Sequence, residues 1–171
     1  MKPIFLLGMP SSGKSTLGRN LARLLGYEFV DLDKRIETRE GLTISELFAL
    51  RGEDYFRQAE SAVLKSLPVQ AALVVSTGGG VPCFFDNIAY IKTHGLSVFL
   101  DLPPSLLAQR MLHTRKDDRP LYRKTDPEEL LTTLEATYEK RLPYYQQADI
   151  IVTGETTAEH LLETLRYFGV G

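Results

Sequence analysis

Eight consecutive residues, Gly8-Met9-Pro10-Ser11-Ser12-Gly13-Lys14-Ser15, have the types and spacing to hold a polyphosphate. They read G-x-x-x-x-G-K-S, and Thr16 follows. Glycines let the backbone approach phosphate oxygens closely and turn its N–H groups toward them. A helix beginning there would aim its positive N-terminal end at the same anion. Lys14 can reach the β- and γ-phosphates, and the Ser15 hydroxyl can ligate Mg²⁺. Ser11, Ser12, Gly13, Lys14, Ser15 and Thr16 are therefore the expected nucleotide-binding residues.

Further chemistry follows other apolar runs. Asp31 and Asp33 flank Leu32. On an extended chain, residues two apart point the same way. One acid could then hold Mg²⁺ through water while the other accepts a proton from a hydroxyl. Equally, the pair could cap or turn into a helix near Lys34. Gly78-Gly79-Gly80 follows Ser76-Thr77, where many nucleotide-hydrolysing proteins place a metal-binding acid. Three glycines are entropically costly, and close backbone approach to a ligand would explain them. Arg57 and Arg141 each sit in a segment of helical composition, and Glu60 is placed to pair with Arg57 on one helix face. The stretch 113–124 carries Arg115, Arg119 and Arg123 without apolar periodicity, as a mobile lid over a nucleotide would.

The elements that must position these groups alternate. Short β-prone runs occupy residues 4–7, 29–32, 73–76, 98–100 and 150–152. Helical spacing predicts helices over 15–25, 43–50, 53–67, 127–147 and 156–168. Thr43 and Glu46 form a capping box, and Thr156 or Thr157 caps the last helix. Strands alternating with helices imply a single α/β domain: a five-stranded parallel sheet covered on both faces. Ligands then collect beyond the carboxyl ends of the strands.

The 171 residues fit one domain with a sizeable core. A net charge of −2 gives no basic field for nucleic acid. No apolar run is long enough to span a membrane. One cysteine, Cys83, precludes an internal disulfide, and with three histidines offers no zinc spacing. A reducing cytoplasm is the natural setting. Cys83 reads as a small hydrophobe.

Taken in order, these pieces resemble the shikimate kinase family over nearly the whole chain. Residues 8–16 resemble its phosphate loop, and Asp31-Leu32-Asp33 its D-x-D. Gly52-Glu53, Phe56-Arg57 and Glu60 resemble its G-E-x-x-F-R-x-x-E segment. Thr77-Gly78-Gly79-Gly80 resembles its modified strand end, Arg119-Pro120-Leu121 its lid, and Arg141-Leu142-Pro143-Tyr144-Tyr145 its R-x-P-x-Y. The resemblance implies a P-loop, nucleoside-monophosphate-kinase-like architecture and ATP-dependent phosphorylation of the 3-hydroxyl of shikimate, with Mg²⁺, by a monomer. The acceptor-binding helices would lie at about 33–67.

Shikimate carries one carboxylate and three hydroxyls, and the chain has groups to match. Arg57 and Arg141 could fork onto the carboxylate. Asp33 could orient the attacking hydroxyl. Gly79 and Gly80 could offer N–H groups, and Phe48 and Phe56 either floor the pocket or belong to the core. Metal would rest on Ser15 and, through water, Asp31. Lys14, Mg²⁺ and Arg119 would neutralise the transferring phosphoryl group in direct in-line transfer. Arg110 is a second nucleotide-side candidate. Where the family often has glycine, this chain has Ser11. The alternatives are a gluconate-type or nucleoside-monophosphate kinase, and a nucleotide-binding module without catalysis.

Overall fold

Alternating side chains build the molecule from its first strand outward. In β1 (Ile4–Leu7), all four residues are buried. Ile4 and Leu6 join one apolar cluster, while Phe5 and Leu7 join another on the opposite face. This is the pattern of a central strand covered on both sides. A computed structural model describes residues 1–114 and 126–171. Its elements run β1, α1 (Lys14–Leu25), β2 (Glu28–Asp31), α2 (Leu32–Glu40), α3 (Ile44–Lys65), β3 (Leu73–Ser76), a 3-10 turn (Val81–Cys83), α4 (Asn87–His94), β4 (Leu96–Asp101), α5 (Pro104–His113), α6 (Pro127–Tyr145), β5 (Ile150–Thr153) and α7 (Ala158–Arg166).

All strand pairs are parallel, in the order β2-β3-β1-β4-β5. The chain passes from β1 to the edge strand β2 and then returns through β3 to β4 and β5. The helix after β1 packs on one face of the sheet and those after its neighbours β3 and β4 on the other, so the crevice opens where β1 ends and the phosphate loop begins. One face of the sheet packs Leu21 and Ala22 of α1 and Leu161 and Leu165 of α7 against Ile4, Leu6, Val74 and Val98. The other face packs Ile36, Leu47, Phe56, Leu107, Leu134 and Tyr145 against Phe5, Leu7, Val75 and Phe99.

The five strands fall where the apolar runs placed them, to within two residues at each end. The helices expected at 43–50 and 53–67 both form and run end to end as α3, separated by non-helical backbone at Gly52 (φ 81°, ψ 173°). Only glycine adopts that conformation readily. Of the two readings of Asp31 and Asp33, the helical one holds. Asp31 closes β2 and caps α2, its carboxylate accepting from the Lys34 N–H at 3.3 Å, and Asp33 lies in the first helical turn.

Candidate active site

The phosphate loop leaves β1 and enters α1 through Gly13, whose φ of 92° is a left-handed conformation suited to glycine. At Gly8 the limit is space as well: a Cβ would stand 2.8 Å from the Leu100 carbonyl oxygen. Ser11 has φ 62° and so takes the left-handed region that glycine would occupy more easily. Lys14 is 7% exposed. Its ammonium donates to the carbonyls of Gly8 (2.7 Å) and Met9 (2.8 Å). That places its charge inside the ring of the loop.

Behind the loop, Ser15 Oγ lies 3.2 Å from Ser76 Oγ and donates to Asp31 Oδ2 at 3.5 Å. Strand register makes this meeting inevitable, because Asp31 and Ser76 are paired residues at the ends of β2 and β3. Three oxygen donors beside a phosphate loop suit a hard divalent cation completed by water and phosphate. Ser15 and Asp31 are therefore brought together as expected, and the sequence reading missed Ser76. Pairing the strand ends would have found it.

A cleft of about 690 Å³ runs from this loop toward α2, α3 and α6. Asp33, Arg57, Glu60 and Arg141 line it together, with Phe48 and Phe56. Each guanidinium is deeply buried, Arg57 at 4% and Arg141 at 9% exposure. Arg57 Nη1 donates to Glu60 Oε1 at 3.1 Å, and Nη2 to Glu53 Oε1 at 3.3 Å. The pair expected on a helix face thus sits inside the protein, with Glu60 only 1% exposed. Burial raises the Glu60 carboxyl to about 7, and Asp33 adds to the rise, against the lowering pull of Arg57 and Arg141. Phe48 and Phe56 serve both as floor and core: their ring centroids are 4.7 Å apart, and Phe56 is buried.

The glycine run lines the cleft, and side chains crowd it from behind as well. Neither Gly78, Gly79 nor Gly80 has a positive φ. A Cβ on Gly78 would stand 3.0 Å from both Asp33 Oδ1 and Glu60 Oε2, and one on Gly79 would stand 2.6 Å from Arg141 Nη1. At Gly80 it would collide with the Arg57 guanidinium. Each glycine clears room for a different charged side chain. Gly79 is further fixed by Tyr145, whose hydroxyl donates to its carbonyl and whose ring stacks on Phe99 at 4.9 Å.

Arg110 reaches back to the phosphate loop. It donates to the Ser11 carbonyl at 3.1 Å and pairs with Glu155 at 2.7 Å. A second cavity, of about 480 Å³, adjoins it between α1 and the segment after β5, lined by Thr16, Leu17, Asn20, Thr156 and Thr157. Arg119 and nearly all of the 113–124 stretch lie outside the described residues. Cys83 is half-buried, its thiol pushed up to about 11 mainly by burial, which fits an inert role.

The shikimate kinase family model matches residues 10–166. A curated shikimate kinase of Bacteroides fragilis is 45% identical over 148 residues, 86% of this chain and 82% of that one. The chain belongs to the shikimate kinase family. A crystal structure of shikimate kinase from Bacteroides thetaiotaomicron superposes with a TM-score of 0.88 at 37% identity, covering 98% of this chain and 97% of that one. Shikimate kinase from Acinetobacter baumannii, solved in complex with shikimate, gives 0.87 at 35% identity, covering 98% and 92%. Membership in the shikimate kinase family makes the chain a phosphotransferase with ATP as co-substrate. It also favours that acceptor over the gluconate-type and nucleotide alternatives.

Proposed function

We propose that the chain transfers the γ-phosphoryl group of ATP to the 3-hydroxyl of shikimate by direct in-line displacement, with the acceptor held by Arg57, Arg141 and Asp33. The observation that carries this reading is the glycine run. Arg141 lies against Gly79 and Arg57 against Gly80, so two buried cations converge on one wall of the cleft that the phosphate loop opens into. Guanidinium forks match a planar carboxylate, and burial strengthens their grip.

Asp33 lies in the same cleft and orients the ring's hydroxyl toward the phosphate loop. As the new O–P bond forms, the bond from the γ-phosphorus to the β,γ-bridging oxygen breaks. ADP departs and Asp33 takes the hydroxyl proton. Lys14 and the loop N–H groups stabilise charge on the transferring group, so catalysis is mainly positioning and electrostatics. Magnesium would sit at Ser15, with Asp31 through water; when bound it neutralises charge on the β- and γ-phosphates. Arg119, which lies outside the described residues, adds charge on the same transferring group. Arg110 and the segment after β5 contact the nucleotide, and the second cavity receives its base. The enzyme works as a monomer in the cytoplasm; among the described residues no helix is long and apolar enough to cross a membrane.

The test is an ADP-release assay run with shikimate, gluconate and nucleoside monophosphates as acceptors. Turnover with shikimate alone is expected. Turnover confined to another acceptor would defeat the reading.

A further inference from the structure

Arg57 is held by more than its carboxylates, and one of its neighbours belongs to no motif. After the 3-10 turn, Phe84 is extended (φ −128°, ψ 150°). Phe85 (φ 48°) and Asp86 (φ 53°) then both enter the left-handed region. Two successive non-glycine residues rarely do so, and phenylalanine does so at a cost that surrounding structure must impose. Helix capping does not account for it. Asp86 stands at the N-cap of α4 with no side-chain capping bond, whereas Asp31, Thr43, Asp126 and Thr157 all accept one.

Beneath the turn, Asn87 is fully buried. Its Nδ2 donates to the Val81 carbonyl at 2.8 Å, and its Oδ1 accepts from Ser61 Oγ at 2.8 Å. Ser61 follows Glu60 on α3, so these bonds tie the turn to the helix that bears Arg57. The result is a ring placed over the cation. Arg57 Cζ is 4.5 Å from the Phe84 centroid and 5.2 Å from that of Phe56.

We infer that Phe84 is a positioning residue for acceptor binding: presented by the strained 85–87 turn, its ring fixes the Arg57 guanidinium in the orientation that grips the substrate's carboxylate. This rests on the proposed contact between Arg57 and that carboxylate. A long side chain that is already oriented loses less freedom when it binds, and an aromatic face holds and desolvates a guanidinium.

The experiment compares Phe84→Leu, Phe84→Tyr and Arg57→Ala with the unaltered enzyme, using shikimate and its analogue with hydroxymethyl in place of the carboxylate. Phe84→Leu should raise KM for shikimate about 3- to 30-fold, the range of a partly desolvated cation–π contact. Its kcat and its KM for ATP should stay within about twofold, since the nucleotide half is untouched. Affinity for the analogue should not change, and Phe84→Tyr should restore the KM for shikimate. Phe84→Met fills a similar volume without a ring face and reads the same quantity if the leucine variant unfolds. Equal losses on shikimate and analogue would mean a merely structural role and overturn the inference. So would an unchanged KM in Phe84→Leu while Arg57→Ala raises it. An unchanged KM in Arg57→Ala would overturn the carboxylate contact itself, and the inference with it.

Discussion

In the proposed nucleotide half of the cleft, Lys14 is satisfied by the carbonyls of its own loop, within six residues along the chain. In the proposed acceptor half, Arg57 and Arg141 come from helices far apart in sequence and meet over a glycine run from a third segment. The first half is local and made largely of backbone. The second is a set of buried charges that depend on one another: Arg57 on Glu60 and Glu53, and Glu60 on the cations around it. A local site survives change elsewhere, whereas an interdependent one passes each change to its neighbours.

The largest expected effect separates chemistry from folding. Lys14→Ala should lower kcat about 10²- to 10³-fold, as loss of one preorganised charge on a transferring group does. Its melting temperature should stay near that of the unaltered enzyme. A rate within fivefold of the unaltered enzyme would remove Lys14 from the reaction.

Arg57→Ala should act on the other half alone. Losing a charge-assisted contact of about 1.5–3 kcal/mol raises KM for shikimate roughly 10- to 100-fold. It also leaves Glu60 buried without its partner, so the variant should melt lower. ATP affinity, read by calorimetry, should be unchanged; a selective loss of ATP binding would place Arg57 in the wrong half.

Glycine substitutions sharpen the contrast. Gly8→Ala sets a Cβ against a backbone carbonyl at 2.8 Å, which has little room to yield, so both stability and ATP binding should suffer. Gly80→Ala meets only the end of the Arg57 side chain. Its stability should fall less than that of Gly8→Ala, since only the Arg57–Glu60 pair is loosened, while KM for shikimate rises about tenfold, the scale of one displaced charge-assisted contact. Equal loss of ATP binding in both variants would erase the distinction between the halves.

A subtler effect is expected in pH dependence. The folded-state pKa of Glu60 is raised from 4.5 to about 7. Between those values the folded state binds more protons than the unfolded one, so stability falls as pH rises through that window. Chemical denaturation at pH 5 and pH 8 should show a smaller loss for Glu60→Gln than for the unaltered enzyme. Equal losses would mean that Glu60 carries no such shift.

The smallest effect belongs to the exposed pair on the nucleotide side. Glu155→Gln should change KM for ATP less than about fivefold, since surface ion pairs contribute about 0.2–1 kcal/mol. A larger change would show that Arg110 depends on its partner as strongly as Arg57 does.

The same contrast explains what could be read from the chain. The phosphate loop was legible because its residues are contiguous and its chemistry is backbone chemistry. The parallel sheet, and with it the edge on which the site collects, followed from alternating strands and helices, whereas strand order is fixed by pairings between distant segments. Arg57, Asp33 and Arg141 were legible only by resemblance, because local composition makes each arginine look like a surface residue. That the three glycines also make room for charged side chains was not visible, since those side chains reach them from α2, α3 and α6. Nor was Ser76, whose position beside Ser15 and Asp31 is a matter of strand register. Phe84 carried no signal: an aromatic residue after a proline turn reads as core until the guanidinium beneath it is seen.

The most direct measurement is a crystal structure of the enzyme with shikimate, ADP and magnesium bound together. The shikimate carboxylate should lie within hydrogen-bonding distance of both Arg57 and Arg141, with its 3-hydroxyl at Asp33 and directed toward the β-phosphate. A carboxylate seated away from both arginines, or a ring whose 3-hydroxyl faces away from the nucleotide, would contradict the account.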